Sequence, residues 1–349
     1  MSFFSRALAA SAEDLGAVLA TVVAASGSTP RHLGARMMIG SDGRLIGSVG
    51  GGRIEHEVMQ RCEEVARTGE PQVVSHHLVR DLAMCCGGSM DVALTQATGC
   101  RPALLALATA ERERVPLILE TPVDGGPWRT RAPAPGERPR RRPHRVEAHI
   151  QEVCGLAPRV ILFGAGHVGR AVGELAATCG FEVIACDDGD TGALDHPLPW
   201  AKLTLATFDP AEVELALAGF GEDDLVLIVT RDHAVDQRIL EALLPRLELG
   251  FLGMIGSRGK VARFLRRMVA KGLVSGAEDP RWARLAAPIG LDLGAETPAE
   301  IAVSVVAQLV AIHRLGQPAA RVRRAEQSSP PVSPPGSSLV SPLGPHAGE

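Results

Sequence analysis

The residues best equipped for chemistry in this chain stand in glycine-rich and cysteine-bearing segments. Gly164-Ala165-Gly166-His167-Val168-Gly169 has the spacing of a dinucleotide-binding turn, and Asp187 and Asp188 follow about 20 residues later. In such a turn Gly164, Gly166 and Gly169 let the backbone approach a pyrophosphate at a helix N-terminus, and a carboxylate after the second strand, here Asp187, accepts a ribose hydroxyl. The same glycines would also serve a scaffold that keeps them for packing and holds no ligand. His167 replaces the usual small residue, and its ring either faces the ligand crevice or caps backbone groups.

Cys85-Cys86-Gly87-Gly88 is the most suggestive segment chemically. A thiolate is a soft ligand and a nucleophile, and two glycines after it let a bulky cofactor come close. Adjacent thiols chelate one metal poorly, so Cys86 is singled out, while Cys62, Cys100, Cys154, Cys179 and Cys186 read as core residues. Gly50, Gly51 and Gly52 lie between a strand and a helix, the geometry of an anion cradle. A tight turn alone needs one or two glycines, and three in a row cost backbone entropy, so a ligand's approach is expected there. Ser28 and Arg31, in Gly27-Ser28-Thr29-Pro30-Arg31, add a hydroxyl and a guanidinium for the same phosphate. Ser257 and Arg258, after Gly256, open a later helix and make a second candidate anion site. Asp232-His233 reads first as a helix cap, and Asp236 as part of a solvated helix face.

The elements that position these residues follow from periodicity. Residues 17–25 are a β-branched run read as a buried strand, and strands at 37–39 and 45–49 flank a hairpin turn at Ser41-Asp42-Gly43. Ile54, Val58, Cys62 and Val65 place a helix over 53–68, closed by Gly69. Strands near 72–79 and 89–95 bracket the cysteine pair. Residues 101–123 are ambiguous, with a strand expected at 115–120. Residues 124–145, with five Arg within 138–145, read as an exposed loop, and the alternation of Val146, Ala148 and Ile150 reads as one half-buried strand. From Arg159 the pattern repeats as strand and helix, with strands at 160–163, 181–186, 225–230 and 251–255. Val168, Val172, Leu175 and Cys179 supply the buried stripe of the first helix. Thr297, Pro298 and Glu300 start a buried helix over 297–315, and the Ser/Pro-rich stretch 328–349 is expected to be disordered. The expected fold is α/β: an N-terminal mixed α/β domain over 1–153, a Rossmann-like, mostly parallel doubly wound domain over 159–316, and a tail over 317–349.

Composition removes several function classes. The 349 residues carry a net charge of -4, which gives no global field toward nucleic acid or an anionic membrane. Aromatics are 3% and Tyr is absent, which disfavours stacking of single-stranded bases and removes phenol acid–base chemistry. None of Lys202, Lys260 and Lys271 lies in a P-loop motif, and the chain has no H-E-x-x-H, C-x-x-C or G-x-S-x-G. No uncharged apolar run has spanning length and no signal-peptide pattern opens the chain, so a cytoplasmic protein is expected. Seven Cys without regular spacing fit thiols in a reducing compartment.

Together these segments resemble the XdhC/CoxI family, the accessory proteins of xanthine dehydrogenase and related molybdenum hydroxylases. The likeness is carried by Gly27-Ser28-Thr29-Pro30-Arg31 with Gly34-Ala35-Arg36-Met37, Gly50-Gly51-Gly52-Arg53-Ile54-Glu55, Cys85-Cys86-Gly87-Gly88 and Gly164-Ala165-Gly166-His167-Val168-Gly169. Downstream it is supported by Thr230-Arg231-Asp232-His233, Gly253 to Lys260, Pro288-Ile289-Gly290-Leu291 and Pro298 to Ser304. The resemblance implies a chaperone that holds the pterin-based molybdenum cofactor (molybdopterin) as cargo. In that picture a cysteine desulfurase partner installs the terminal sulfur and the cargo passes to xanthine dehydrogenase or a related hydroxylase, with a homodimer as a further expectation. Such a protein turns nothing over itself. The competing class is an NAD(P)-dependent oxidoreductase, with NAD(P) or another dinucleotide on the Rossmann turn and His167 and His233 as the candidate proton donors. Arg53 stands where CoxI-type members tend to carry Cys, which favours the XdhC branch. Arg231 stands in the family's Thr-His-Asp-His, which leaves the role of that loop open.

Overall fold

The apolar run at residues 18–23 becomes the central strand of an antiparallel sheet. In the computed structural model, which describes residues 2–84, 86–137 and 142–315, α1 (Phe3–Glu13) precedes β1 (Val18–Ser26), whose first six residues are all buried. β2 (Arg36–Ile39) and β3 (Leu45–Gly47) return as the expected hairpin. After α2 (Gly52–Thr68) come β4 (Gln72–His77), the short α3 (Leu78–Leu82) and β5 (Ser89–Gln96), giving the order β3-β2-β1-β5-β4. α2 buries Ile54, Val58, Cys62 and Val65, the stripe expected from their spacing, and ends on Gly69 at φ 74, whose N–H donates to the Val65 carbonyl. Cys85, residues 138–141 and the tail from 316, with the disorder expected for it, lie outside the described residues.

The ambiguous stretch 101–123 resolves into α4 (Arg101–Glu113), which buries Ala103, Leu104, Leu107 and Ala110, and β6 (Leu117–Pro122). β6 belongs to a second antiparallel sheet with β7 (Arg129–Arg131), β8 (His144–Val146) and β9 (His149–Cys154), in the order β7-β6-β9-β8. Residues 124–145 are therefore not one exposed loop. β7 pairs with β6, and Trp128 just before it is buried, edge-on to Phe4 and 5.2 Å from the Arg36 guanidinium. Nor is 146–150 a single strand: Glu147 at φ 50 turns the chain so that Val146 pairs with His149.

The chain divides into two compact units, Met1–Ala157 and Pro158–Glu349. The second unit is built on β10 (Arg159–Phe163), α5 (His167–Thr178), β11 (Glu182–Cys186), β12 (Leu203–Leu205), α6 (Pro210–Ala216), β13 (Asp224–Ile228), α7 (His233–Leu243), β14 (Phe251–Met254), α8 (Arg258–Ala270), α9 (Pro280–Ala283), β15 (Leu285–Ala286) and α10 (Pro298–Leu315). Every pairing is parallel, in the order β12-β11-β10-β13-β14-β15, which reverses between β10 and β13. β10 and β13 are buried along their whole length, as a sheet covered on both faces requires. One face is covered by Val235, Ile239 and Leu243 of α7 with Phe264 and Met268 of α8, the other by Val172 and Ala176 of α5 with Val305, Val306 and Leu309 of α10.

Two details depart from the periodicity. α5 buries Gly169, Val172, Gly173 and Ala176, so its stripe is rotated from the expected one, and Cys179 at its end is exposed. α10 is long and apolar enough to cross a membrane by length and composition alone, yet Val305, Val306 and Leu309 pack into the core of this unit. Its start is a capping box: the Glu300 carboxylate accepts from the Thr297 N–H at 2.9 Å, and the Thr297 hydroxyl accepts from the Glu300 N–H at 3.3 Å.

Candidate functional site

The glycine and cysteine segments of the first unit meet around the loop that follows β1. The Gly88 N–H donates to the Ser28 carbonyl at 3.0 Å, and the Arg53 guanidinium donates to the Leu82 carbonyl at 3.1 Å. A Cβ added at Gly50 would stand 2.8 Å from Pro30 Cγ, and one at Gly88 would stand 2.6 Å from the Ser28 carbonyl oxygen. These two glycines are therefore demanded by close packing. At Gly51, Gly52 and Gly87 the space a Cβ would fill is open. Gly51 and Gly52 are held at φ 72 and 62, a conformation that favours glycine. Cys86 is half-buried against the core of this unit, and Ser28 and Arg31 are exposed on the same loop.

The N–H groups of the triple-glycine loop already have an anion. Glu55 Oε1 accepts from the Ser48 hydroxyl at 2.6 Å, from the Val49 N–H at 3.0 Å and from the Gly50 N–H at 3.3 Å. Burial pushes this carboxyl up, but hydrogen bonds from Ser48 and the loop backbone outweigh it and hold it below its ordinary value. Part of the cradle expected for a phosphate is filled by the first turn of α2 itself. The sequence signal was an acidic residue just inside a helix that opens on glycine.

In the second unit the glycine turn lies beside the point where strand order reverses. A Cβ at Gly164 (φ 113) would stand 2.5 Å from the Val229 carbonyl oxygen, and one at Gly169 would run into the Gly164 carbonyl, so both serve packing. Gly166, the N-cap of α5, has open space at its Cβ position, and His167 is the exposed first residue of the helix. Asp187, expected to meet a ribose hydroxyl, is buried: Oδ2 accepts from the Ala165 N–H at 2.8 Å and Oδ1 from the Gly189 N–H at 2.9 Å. It ties the end of β11 to the turn. The Arg231 guanidinium beside Asp188 holds that carboxyl below the usual range.

Asp236, expected on a solvated face, is fully buried. It accepts from the Thr230 hydroxyl at 2.6 Å and from Lys260 Nζ, which also donates to the Ile255 carbonyl at 2.9 Å. Gly256, at φ 148, makes way for the lysine stem, since a Cβ there would stand 2.5 Å from Lys260 Cδ. Asp232 caps α7, as expected, by accepting from the Val235 N–H at 3.2 Å. Ser257 caps α8 by accepting from the Lys260 N–H at 3.3 Å. Arg258 lines a cleft of about 890 Å³ together with residues 287–295, Ile301 and Ser304 of the same unit, and the Gly164 turn is not part of its wall.

Burial pushes the thiols of Cys62 and Cys186 up to about 12, and those of Cys100 and Cys154 up to about 11. These four are poor thiolates at neutral pH. Among the described residues no three His, Cys, Asp or Glu side chains are grouped so as to hold a metal ion.

A family model described as the XdhC Rossmann domain matches residues 160–309, and one described as the XdhC and CoxI family matches residues 10–77. The chain is 27% identical over 325 residues to the uncharacterized protein YqeB of Escherichia coli, of which it spans 46%. It is 28% identical over 321 residues to a probable xanthine dehydrogenase subunit of Bacillus subtilis, covering 84% of this chain and 92% of that protein. Over 102 residues, 28% of this chain and 32% of the relative, it is 30% identical to the molybdenum cofactor insertion chaperone PaoD of Escherichia coli. A solved structure from Bacillus halodurans, described as a xanthine dehydrogenase, has the same fold, with a TM-score of 0.73 and 24% identity over 95% of this chain and 98% of its own. With the Rossmann unit matched by one model and most of the antiparallel sheet by the other, the chain belongs to the XdhC and CoxI family.

Proposed function

We propose that this protein is an accessory factor of a molybdenum hydroxylase, holding the pterin-based molybdenum cofactor as cargo and delivering it to the apo-enzyme. The observation that carries this reading is the junction in the first unit: Gly87 and Gly88, which directly follow Cys86, stand against the Gly27 to Arg31 loop, which also touches the triple-glycine loop. Open space at Gly51, Gly52 and Gly87 fits the approach of a bulky group, and a thiol is the softest donor the chain offers to molybdenum or its sulfur. Arg31 and Ser28, exposed on the same loop, would meet the cofactor's phosphate. Family membership and the likeness to a cofactor insertion chaperone support the same role. Sulfuration of the cargo by a cysteine desulfurase, a homodimeric state and a cytoplasmic location belong to this proposal as its finer parts.

The test is to purify the chain from cells that make the cofactor, and to measure molybdenum by mass spectrometry and pterin by fluorescence after oxidation. Cys86→Ala should keep the fold, lose most of the bound molybdenum and pterin, and activate an apo-hydroxylase poorly. Retention and delivery at the wild-type level by Cys86→Ala would make the thiol a packing residue and remove the basis of the proposal.

A further inference from the structure

The two sheets of the first unit face each other across a layered core. Side chains alternate along a strand, so Leu19, Thr21 and Val23 of β1 share one face. Leu19 and Met38 pack in one apolar cluster with Leu119 of β6, and Val23 packs in another with Ile150 of β9. Between these clusters lies a polar layer. From the first sheet it takes Thr21 and, opposite it on β2, Arg36. From the second sheet it takes Thr121, between Leu119 and Val123, and Glu152, between Ile150 and Cys154. Arg36 and Glu152 form an ion pair across the layer, with side chains 9% and 12% exposed. The guanidinium also lies 5.5 Å from the Phe4 ring and 5.2 Å from the Trp128 ring. Burial pushes it down to about 10, so it is still a cation at neutral pH.

Stability alone does not account for such a layer. Among the described residues the Thr21 and Thr121 hydroxyls and Arg36 Nε are buried without a hydrogen-bond partner. Buried polar atoms without partners cost free energy, and a buried ion pair is often no better than apolar side chains of the same volume. What a single polar layer does supply is register. Sliding one sheet along the other would set each charge against an apolar layer without its partner, and a broken buried pair costs far more than an intact one gains.

The backbone of Arg36 carries that register to both glycine-bearing loops. Arg36 directly follows residues 27–35, whose returning limb is tied to β1: the Val22 N–H donates to the Ala35 carbonyl and the Gly34 N–H to the Val22 carbonyl, each at 2.9 Å. The Arg36 carbonyl accepts from the Ser48 N–H at 2.9 Å, at the head of the triple-glycine loop. A Cβ at Gly34 would stand 2.6 Å from Pro143 Cγ, just before β8, so the second sheet also touches the first loop directly.

We infer that Arg36 is a positioning residue: its pair with Glu152 fixes the first sheet against the second, and its backbone thereby holds residues 27–35 and 48–52 in place. That these loops hold cargo rests on the reading above, whereas their dependence on Arg36 does not.

Hydrogen exchange of the cargo-free full chain, read by mass spectrometry on peptides spanning 22–36 and 46–52, tests this. Arg36→Met alone strands the Glu152 carboxylate, so Arg36→Met combined with Glu152→Leu is the informative variant. It should melt within about 3 °C of wild type, because an apolar pair replaces the ionic one. Both loop peptides should nevertheless exchange about tenfold or more faster, while residues 55–68 of α2 keep their rate, and molybdenum retention should fall. Wild-type exchange in the loops, or an equal acceleration in α2, overturns the assignment, since the pair would then set no register. Fast loop exchange with molybdenum retained at the wild-type level upholds the role of Arg36 and counts against the cargo reading instead.

Discussion

Arg231 donates to both carboxylate oxygens of Asp188, at 2.9 and 3.0 Å. Asp188 follows β11 and Arg231 follows β13, and these strands lie on either side of β10, so the ion pair passes over the end of β10 where the glycine turn begins. Two strand spacings amount to about 10 Å, a gap the long arginine can bridge.

Arg231→Ala should open that bridge at little cost. Both side chains are partly exposed, so solvent screens the pair and it adds little to stability at neutral pH. The folded Asp188 carboxyl lies below its ordinary value, so its contribution is present above the unfolded value of about 3.9 and is lost as pH falls through the lowered one. Denaturation of wild type and variant across that acid range should show the difference closing. A gap of several kcal/mol that persists in acid contradicts this account.

The buried pair of Lys260 and Asp236 should behave differently. Lys260→Met strands an unpaired carboxylate in the core and should cost about 3–5 kcal/mol, whereas adding Asp236→Leu to it should recover a large part of that loss. Urea unfolding followed by tryptophan fluorescence reads both, and equal losses in the single and double variants would count against a pairing role.

Gly87 and Gly88 are adjacent but not equivalent. Gly88→Ala puts a methyl group against two carbonyl oxygens and should destabilise by about 1–3 kcal/mol. Gly87→Ala meets nothing and should leave stability within about 0.5 kcal/mol, while lowering molybdenum retention by filling the space beside Cys86. Thermal melts and metal analysis on the same samples separate the two effects.

Glu55→Gln tests the carboxylate under the triple-glycine loop. Loss of the charge-assisted bonds should cost about 1–2 kcal/mol at neutral pH. Because the folded carboxyl is lowered, that advantage is present above the unfolded value of about 4.3 and fades as pH falls through the lowered one. Unfolding curves that differ equally at neutral and acid pH would assign Glu55 a packing role instead.

The repeating strands and helices of the second unit, the Gly69 and Glu300 caps and the hairpin at Asp42 were legible in the sequence, because each depends on neighbours within a few positions along the chain. The stretch 101–123 was not, since Arg101-Pro102 and the apolar residues after it satisfy strand and helix patterns alike, and packing of α4 beside α1 in a common core decided between them.

Which residues could bind a ligand was legible only as a list of types. Asp187 and Glu55 are carboxylates near glycine turns in sequence, and the tertiary structure turns both inward onto backbone N–H groups. Asp236 has the spacing of an exposed helix residue, yet the fold buries it with the Thr230 hydroxyl and with Lys260, 24 positions later, as its partners. Gly50, Gly51 and Gly52 look alike in the chain, yet Pro30 crowds one and leaves the other two open. Secondary structure is set by local torsional preference and the period of apolar residues, which a sequence carries directly. Whether a polar group is spent or still available depends on which distant atoms fill its hydrogen-bonding directions, and those are decided only when the chain folds back on itself.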